Sequence, residues 1–231
     1  MELYCEQALK SGTQIICFTD HVDVYGIGNT LSFINFSNRY GDYLKAAKQY
    51  EGRLLVLLGL EYAEPNHDFE LYKKITGQFP YDFILGSVHY PTEMFFARKY
   101  SAVKMVEDHY AKTIEMTKEG GFDSLAHLDF PKKFTDKWQV DLEKTEIILK
   151  NIIKNDISLE INTSTLRRGQ SECSPSRDIV ELYASLGGKY VTVGSDSHSF
   201  DTLGDGFESA ASTLPQGVKI CYYKNRKRVV L

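Results

Sequence analysis

Val191–Phe200 reads VTVGSDSHSF, and the fold follows from how that stretch is read. Tyr190 to Val193 are apolar and mostly β-branched, the composition of a short buried strand. The strand stops at Gly194, and Asp196 and His198 follow at a spacing of two. In an extended segment residues two apart point the same way, so a carboxylate and an imidazole face one point just past a strand end. That donor pair suits Zn²⁺, Mn²⁺ or Fe²⁺. The alternative for this stretch alone is a polar turn with a surface histidine, and the rest of the chain decides between them.

Working outward, the same device recurs. Gln14–Phe18 is a buried strand running into Thr19, Asp20 and His21; Leu54–Leu58 is a second, ending at Glu61; Tyr81–Leu85 a third, ending at His89. Ser124–Ala126 is a brief strand before His127, Ser158–Ile161 ends at Asn162, and Val218–Tyr223 is a last strand with a basic tail. Between them the periodicity predicts helices over Met1–Ser11, Asp42–Tyr50, Phe69–Thr76, Val103–Glu119, Asp141–Asn155, Ser176–Leu186 and, weakly, Phe207–Leu214. A glycine-containing loop through Gly26 and Gly28 precedes the second helix.

Strands alternating with helices imply parallel strands joined by right-handed crossovers, and strands apolar throughout are those covered on both faces. The expectation is an α/β fold, a barrel whose strand C-termini share one rim, the place where active sites of such folds sit. That rim collects His21, Glu61, His89, His127, Asn162, Asp196 and His198. Four of the six histidines end strands, which chance placement would not produce. Of the other two, His67 reads as solvent-exposed, and His109, inside the charged helix VEDHYAK, as a surface residue.

The 231 residues fit a single domain over 1–231, with 42% hydrophobic and 25% charged residues as in ordinary globular chains. A net charge of −4 provides no electrostatic footprint for nucleic acid or an anionic membrane. No apolar run is long enough to span a bilayer and no leader pattern follows Met1. Cys5, Cys17, Cys173 and Cys221 are scattered without C-x-x-C spacing, which reads as free thiols in a reducing, cytoplasmic setting.

Six segments together carry a resemblance: FTDHVD (18–23), GLEY (59–62), ILGSVH (84–89), AHLDF (126–130), LEINTS (159–164) and GSDSH (194–198). In this order the chain resembles the polymerase-and-histidinol-phosphatase (PHP) superfamily of metal-dependent phosphoesterases. FTDHVD, ILGSVH, HLDF, LEINTS and the closing YYKNRKRV look most like its histidinol-phosphate phosphatases. The resemblance implies a distorted seven-stranded β/α barrel, TIM-like, with up to three divalent ions (Zn, Mn or Fe). It implies Glu61, His89 and His127 as the ligands of one metal, Glu61 bridging to a second that also uses Asp196, and His21 and His198 on a third. It also implies a preceding strand ending in H-x-H, which this sequence lacks. The sequence is therefore expected to be incomplete or mis-started, with open edges at Gln14–Phe18 and Tyr190–Val193.

The implied substrate is a small-molecule phosphate ester, L-histidinol phosphate. Clustered cations acidify a shared water for attack on phosphorus, with Glu61 and Asp196 as the carboxylates closest to the chemistry. Asp20, beside His21, is either a group orienting an imidazole or the proton donor to the leaving alkoxide. Arg167 and Arg168 follow Asn162 onto the same rim, where guanidinium forks suit phosphate, or are simply solvated; Lys132 and Lys133 are weaker candidates. The competing readings are a PHP phosphoesterase acting on nucleotides or nucleic-acid ends, and a non-catalytic PHP protein.

Overall fold

The computed structural model describes residues 1–23 and 36–231; the loop expected through Gly26 and Gly28 lies outside them. In chain order the elements are α1 (Glu2–Lys10), β1 (Ile15–Asp23), α2 (Phe36–Gln49), β2 (Leu55–Ala63), α3 (Phe69–Thr76), β3 (Phe83–Ser87), α4 (Tyr90–Phe96) and α5 (Ala102–Glu119). There follow β4 (Ser124–Leu125), α6 (Leu142–Lys154), β5 (Ser158–Asn162), α7 (Ser164–Arg167), α8 (Arg177–Ser185), β6 (Tyr190–Gly194), α9 (Phe207–Ser212), β7 (Lys219–Lys224) and β8 (Lys227–Val230). Strands β1 to β7 lie side by side in chain order, all parallel, and β8 returns antiparallel on β7.

Alternation along each strand sorts the side chains. Leu58, Leu60, Ile84, Leu125, Leu159, Ile161 and Val191 point outward into the main core, against Tyr110 and Met116 of α5, Ile148, Leu149 and Ile152 of α6 and Ile179 of α8. The helices present that face because their ends are fixed locally: Ser101 caps α5 by accepting the Lys104 N–H, and Asp141 caps α6 through the Lys144 N–H. The other strand face looks inward. There Phe83, Leu85, Ala126, Cys221 and Tyr223 cluster with Cys17 of β1 and Tyr190 of β6. Residues of β1, β3, β6 and β7 share this one cluster, so the sheet curls round a filled interior, although among the described residues no ladder joins β1 to β7.

Three differences from the sequence reading matter. The strand at Tyr190–Val193 is not an open edge: β6 pairs with β5 on one side and, through Tyr190 and Val191, with β7 on the other. The strand expected over Val218–Tyr223 is not the last: the basic tail turns at Asn225 and Arg226, both in the left-handed region, and forms β8. The short α4 was not expected, because its sequence, YPTEMFF, carries a proline at its second position; Pro91 sits in the first turn, where its missing N–H costs nothing.

No helix among the described residues is long and apolar enough to cross a membrane. The four cysteines are free.

Candidate metal centre

β1 to β3 deliver the first donors. His21 pairs in register with Glu61, and Glu61 with Leu85, so the inner-face residues at the C-terminal ends of these strands lie level. Glu61 Oε1 lies 3.2 Å from His89 Nε2 and 3.2 Å from His127 Nε2, while Oε2 faces His21 Nε2 at 3.5 Å. The two imidazole nitrogens of His89 and His127 are 3.4 Å apart. His21, Glu61 and His89 each offer an atom within 4.8 Å of the others'.

The chemistry of this donor set fits a divalent cation. Asp23 Oδ1 accepts the Nδ1–H of His89 at 2.8 Å, which turns the ring's Nε2 inward toward Glu61. Imidazole nitrogens and a carboxylate oxygen converging on one point are the donor types that zinc takes, and positive charge there, as protons on the rings or as a cation, is what holds them together. Burial by itself would push the Glu61 carboxyl up, but the His21 charge and the bonds from His127 and His89 hold it well below the usual range. Burial would push His89 down, and Asp23 and Glu61 outweigh it, so that its imidazole lies well above the ordinary value. His127, more weakly compensated, is pushed down by burial.

Asp196 stands on the other side of the centre and is not in an extended segment. It adopts a left-handed backbone (φ 48°), which aspartate tolerates better than most side chains. Its Oδ2 accepts from Lys133 Nζ at 3.0 Å, Ser164 Oγ at 3.1 Å and Asn162 Nδ2 at 3.5 Å. Burial works against its negative charge, yet Lys133 holds its carboxyl below the usual range. His198 lies 3.5 Å from Asp196 Oδ1 through Nδ1, but its side chain is 76% exposed and its ring is 5.8 Å from that of His21. Arg167 donates to the Asp196 carbonyl at 3.0 Å, and Arg168 lies over the Phe134 ring at 5.3 Å.

Asp20 does not belong to this group. Neighbours in a strand point to opposite faces, so Asp20 turns outward and takes two bonds from Arg39 of α2, at 2.9 and 2.5 Å. The residue that orients the imidazoles is Asp23, two positions beyond His21, where the same alternation brings it inside. His109 is likewise not a surface residue: it is 2% exposed, and its Nε2–H donates to the Leu128 carbonyl at 2.7 Å, next to His127. His67 is exposed, as expected.

A family model for the PHP domain matches residues 1–164. The chain belongs to the PHP domain family. A probable histidinol-phosphatase of Clostridium acetobutylicum is 30% identical over 224 residues, covering 89% of this chain and 84% of that protein. One from Deinococcus radiodurans is 27% identical over 97% of this chain and 90% of its own length. The fold matches the crystal structure of histidinol phosphate phosphatase from Lactococcus lactis, solved with zinc, L-histidinol and phosphate, with a TM-score of 0.84 at 19% identity, over 99% of this chain and 92% of that one.

Within this PHP chain two further buried glutamates back the histidines. Glu64, just past β2, accepts the main-chain N–H of His89 at 2.8 Å and of Tyr90 at 2.9 Å. Glu160 of β5 accepts the N–H of His127 at 2.9 Å. Gly194 makes room for it, since a Cβ there would collide with the Glu160 carboxylate. Glu160 was visible in LEINTS only as part of a motif; nothing in its spacing separates a carboxylate that supports a ligand from one that is a ligand.

Proposed function

We propose that this chain is a divalent-metal phosphomonoesterase that hydrolyses L-histidinol phosphate to L-histidinol and phosphate in histidine biosynthesis, in the cytoplasm and with zinc as a competent ion. The convergence of His89 Nε2 and His127 Nε2 on one oxygen of Glu61, with His21 on the other, carries the reading. The histidinol-phosphatase relatives along nearly the whole chain support the substrate.

Divalent cations bound there supply Lewis acidity, acidifying water and neutralising charge on phosphoryl oxygens. Glu61 offers its two oxygens in two directions, Oε1 toward His89 and His127 and Oε2 toward His21, and would be the carboxylate that holds the cations. Asp23 keeps the proton of His89 on Nδ1. Asp196 contributes on the far side, with its carboxylate held by Asn162, Ser164 and Lys133. The Lys133 ammonium is almost wholly buried beside Asp196 and lies 4.8 Å over the Phe130 ring, so its charge acts in a low-dielectric surround where a phosphate dianion is bound most strongly. Arg167 uses one N–H on Asp196 and keeps the rest of its fork for phosphate.

The test is phosphate release from L-histidinol phosphate by metal-stripped protein to which Zn²⁺ or Mn²⁺ is added back, beside Glu61→Gln. Metal-dependent release by the wild type, with Glu61→Gln binding less zinc and losing most of the activity, bears the reading out. A folded, zinc-loaded wild type that leaves L-histidinol phosphate intact sinks it.

A further inference from the structure

Two walls rise from the metal centre, and both carry aromatic side chains outward. His89 is the N-cap residue of α4, and Glu93 and Phe96 follow it at spacings of four and three residues, so the three lie along one helical face leading away from His89. Facing it, the segment after β4 repeats the arrangement with His127, Phe130 and Phe134. Phe130 stacks on His127, with ring centres 4.4 Å apart, and lies 5.3 Å from His89. Phe134 meets Phe130 edge-on at 5.2 Å, and Phe96 meets Phe134 edge-on at 5.1 Å. The rings thus form an unbroken line from a metal ligand to the surface, where Phe96 is 60% exposed.

Structural packing accounts for Phe130 but not for what lies beyond it. A phenylalanine left mostly in water at the mouth of a polar site has apolar surface available for something else. The Phe134 face already attracts one planar cation, the Arg168 guanidinium. Glu93 adds a polar anchor: its Oε2 is buried and has no hydrogen-bond partner among the described residues. A carboxylate oxygen shielded from water and left unbonded is costly unless a donor arrives to meet it.

We propose that Glu93, Phe96 and Phe134 form the subsite for the organic half of the substrate, Glu93 taking the primary ammonium and the two phenylalanines the imidazole ring. The assignment rests on the substrate reading above and extends it to residues one and two helical turns from the ligands. A phosphomonoester bound with its phosphate at the metal centre extends its remaining atoms along these walls. An ammonium on Glu93 gains a charge-assisted bond, and a flat heteroaromatic ring gains stacking area that an aliphatic alcohol lacks. The subsite therefore selects among phosphate esters, while the metal centre alone does not.

The test is calorimetric titration of L-histidinol into the metal-free chain, where its nitrogens have no zinc to chelate, for the wild type, Glu93→Gln, Phe96→Ser and Phe134→Leu. Phe134→Tyr serves as the variant that keeps a ring. Glu93→Gln weakens L-histidinol binding about ten- to a hundredfold, the loss of one charged hydrogen bond. Phe96→Ser and Phe134→Leu weaken it about three- to tenfold, and Phe134→Tyr restores it, with zinc stoichiometry and far-ultraviolet circular dichroism unchanged in all four. Undiminished L-histidinol affinity in Glu93→Gln and Phe96→Ser overturns the subsite, as does a parallel loss of zinc, which would assign these residues to the metal centre instead. If the wild type releases phosphate from L-histidinol phosphate while the variants bind as it does, only the subsite fails. If the wild type neither releases phosphate nor binds L-histidinol, the substrate reading fails and the subsite with it.

Discussion

Asp20 and Asp23 differ by three positions in one strand, and that parity separates a carboxylate bound to Arg39 on the outer face from one that orients the His89 imidazole on the inner face. A second residue shows how far burial changes a role. His109 is enclosed in α5 and bound only through Nε2 to the Leu128 carbonyl; desolvation pushes its pKa down to about 3. Its folded pKa lies below its unfolded value near 6.5, so the imidazole is neutral in both states above that pH and its contribution is fully present there. As pH falls below 6.5 the unfolded chain takes up the proton first, and stability is lost at roughly 1.4 kcal/mol per pH unit until the folded pKa is reached. His109→Gln retains an N–H donor and cannot titrate. Thermal melts of the metal-free proteins between pH 7.5 and 4.5 should show a shallower fall for the variant; parallel slopes would mean that His109 is protonated in the folded state.

At the scale of elements, the chain's ends and turns do the positioning. The β7–β8 hairpin is held against the lower mouth of the curled sheet by two aspartates from other strands' entrances. Asp82 accepts the main-chain N–H of Asn225 at 3.0 Å, and its carbonyl accepts that of Arg226 at 2.9 Å. Asp123 takes the Arg226 Nε–H at 2.5 Å while also accepting the Ile84 N–H at 2.7 Å. Arg226→Ala leaves Asp123 buried with one charged partner fewer, at a cost of about 2 kcal/mol, which is roughly 4–8 °C in Tm for a chain of this size. Arg226→Lys should recover part of it. A Tm unchanged in Arg226→Ala would show the hairpin to be held by its main-chain bonds and the Phe83–Tyr223 stacking alone.

For the whole molecule, the proposed metal centre would couple loading to stability, because its candidate donors come from β1, β2 and the segments after β3 and β4. A cation bound only by the folded arrangement stabilises it by about 2.7 kcal/mol at a hundredfold excess over its Kd, or roughly 5–10 °C. Zinc should raise the Tm of the wild type by that order and that of Glu61→Gln far less; equal shifts would place the zinc elsewhere. The sequence by itself determined the parallel α/β order, the strand-end positions of His21, Glu61, His89, His127 and Asp196, and the family, because local periodicity and motif order survive without knowledge of contacts. It could not separate Asp20 from Asp23 before the extent of β1 was known, nor place His109, whose helix is charged on the side away from Leu128. The tertiary structure alone decided that Lys133 reaches Asp196, that Glu64 and Glu160 support His89 and His127 from behind, and that Phe96 meets Phe134. Those pairings join residues far apart in the chain, and only the curl of the sheet sets the distances between them.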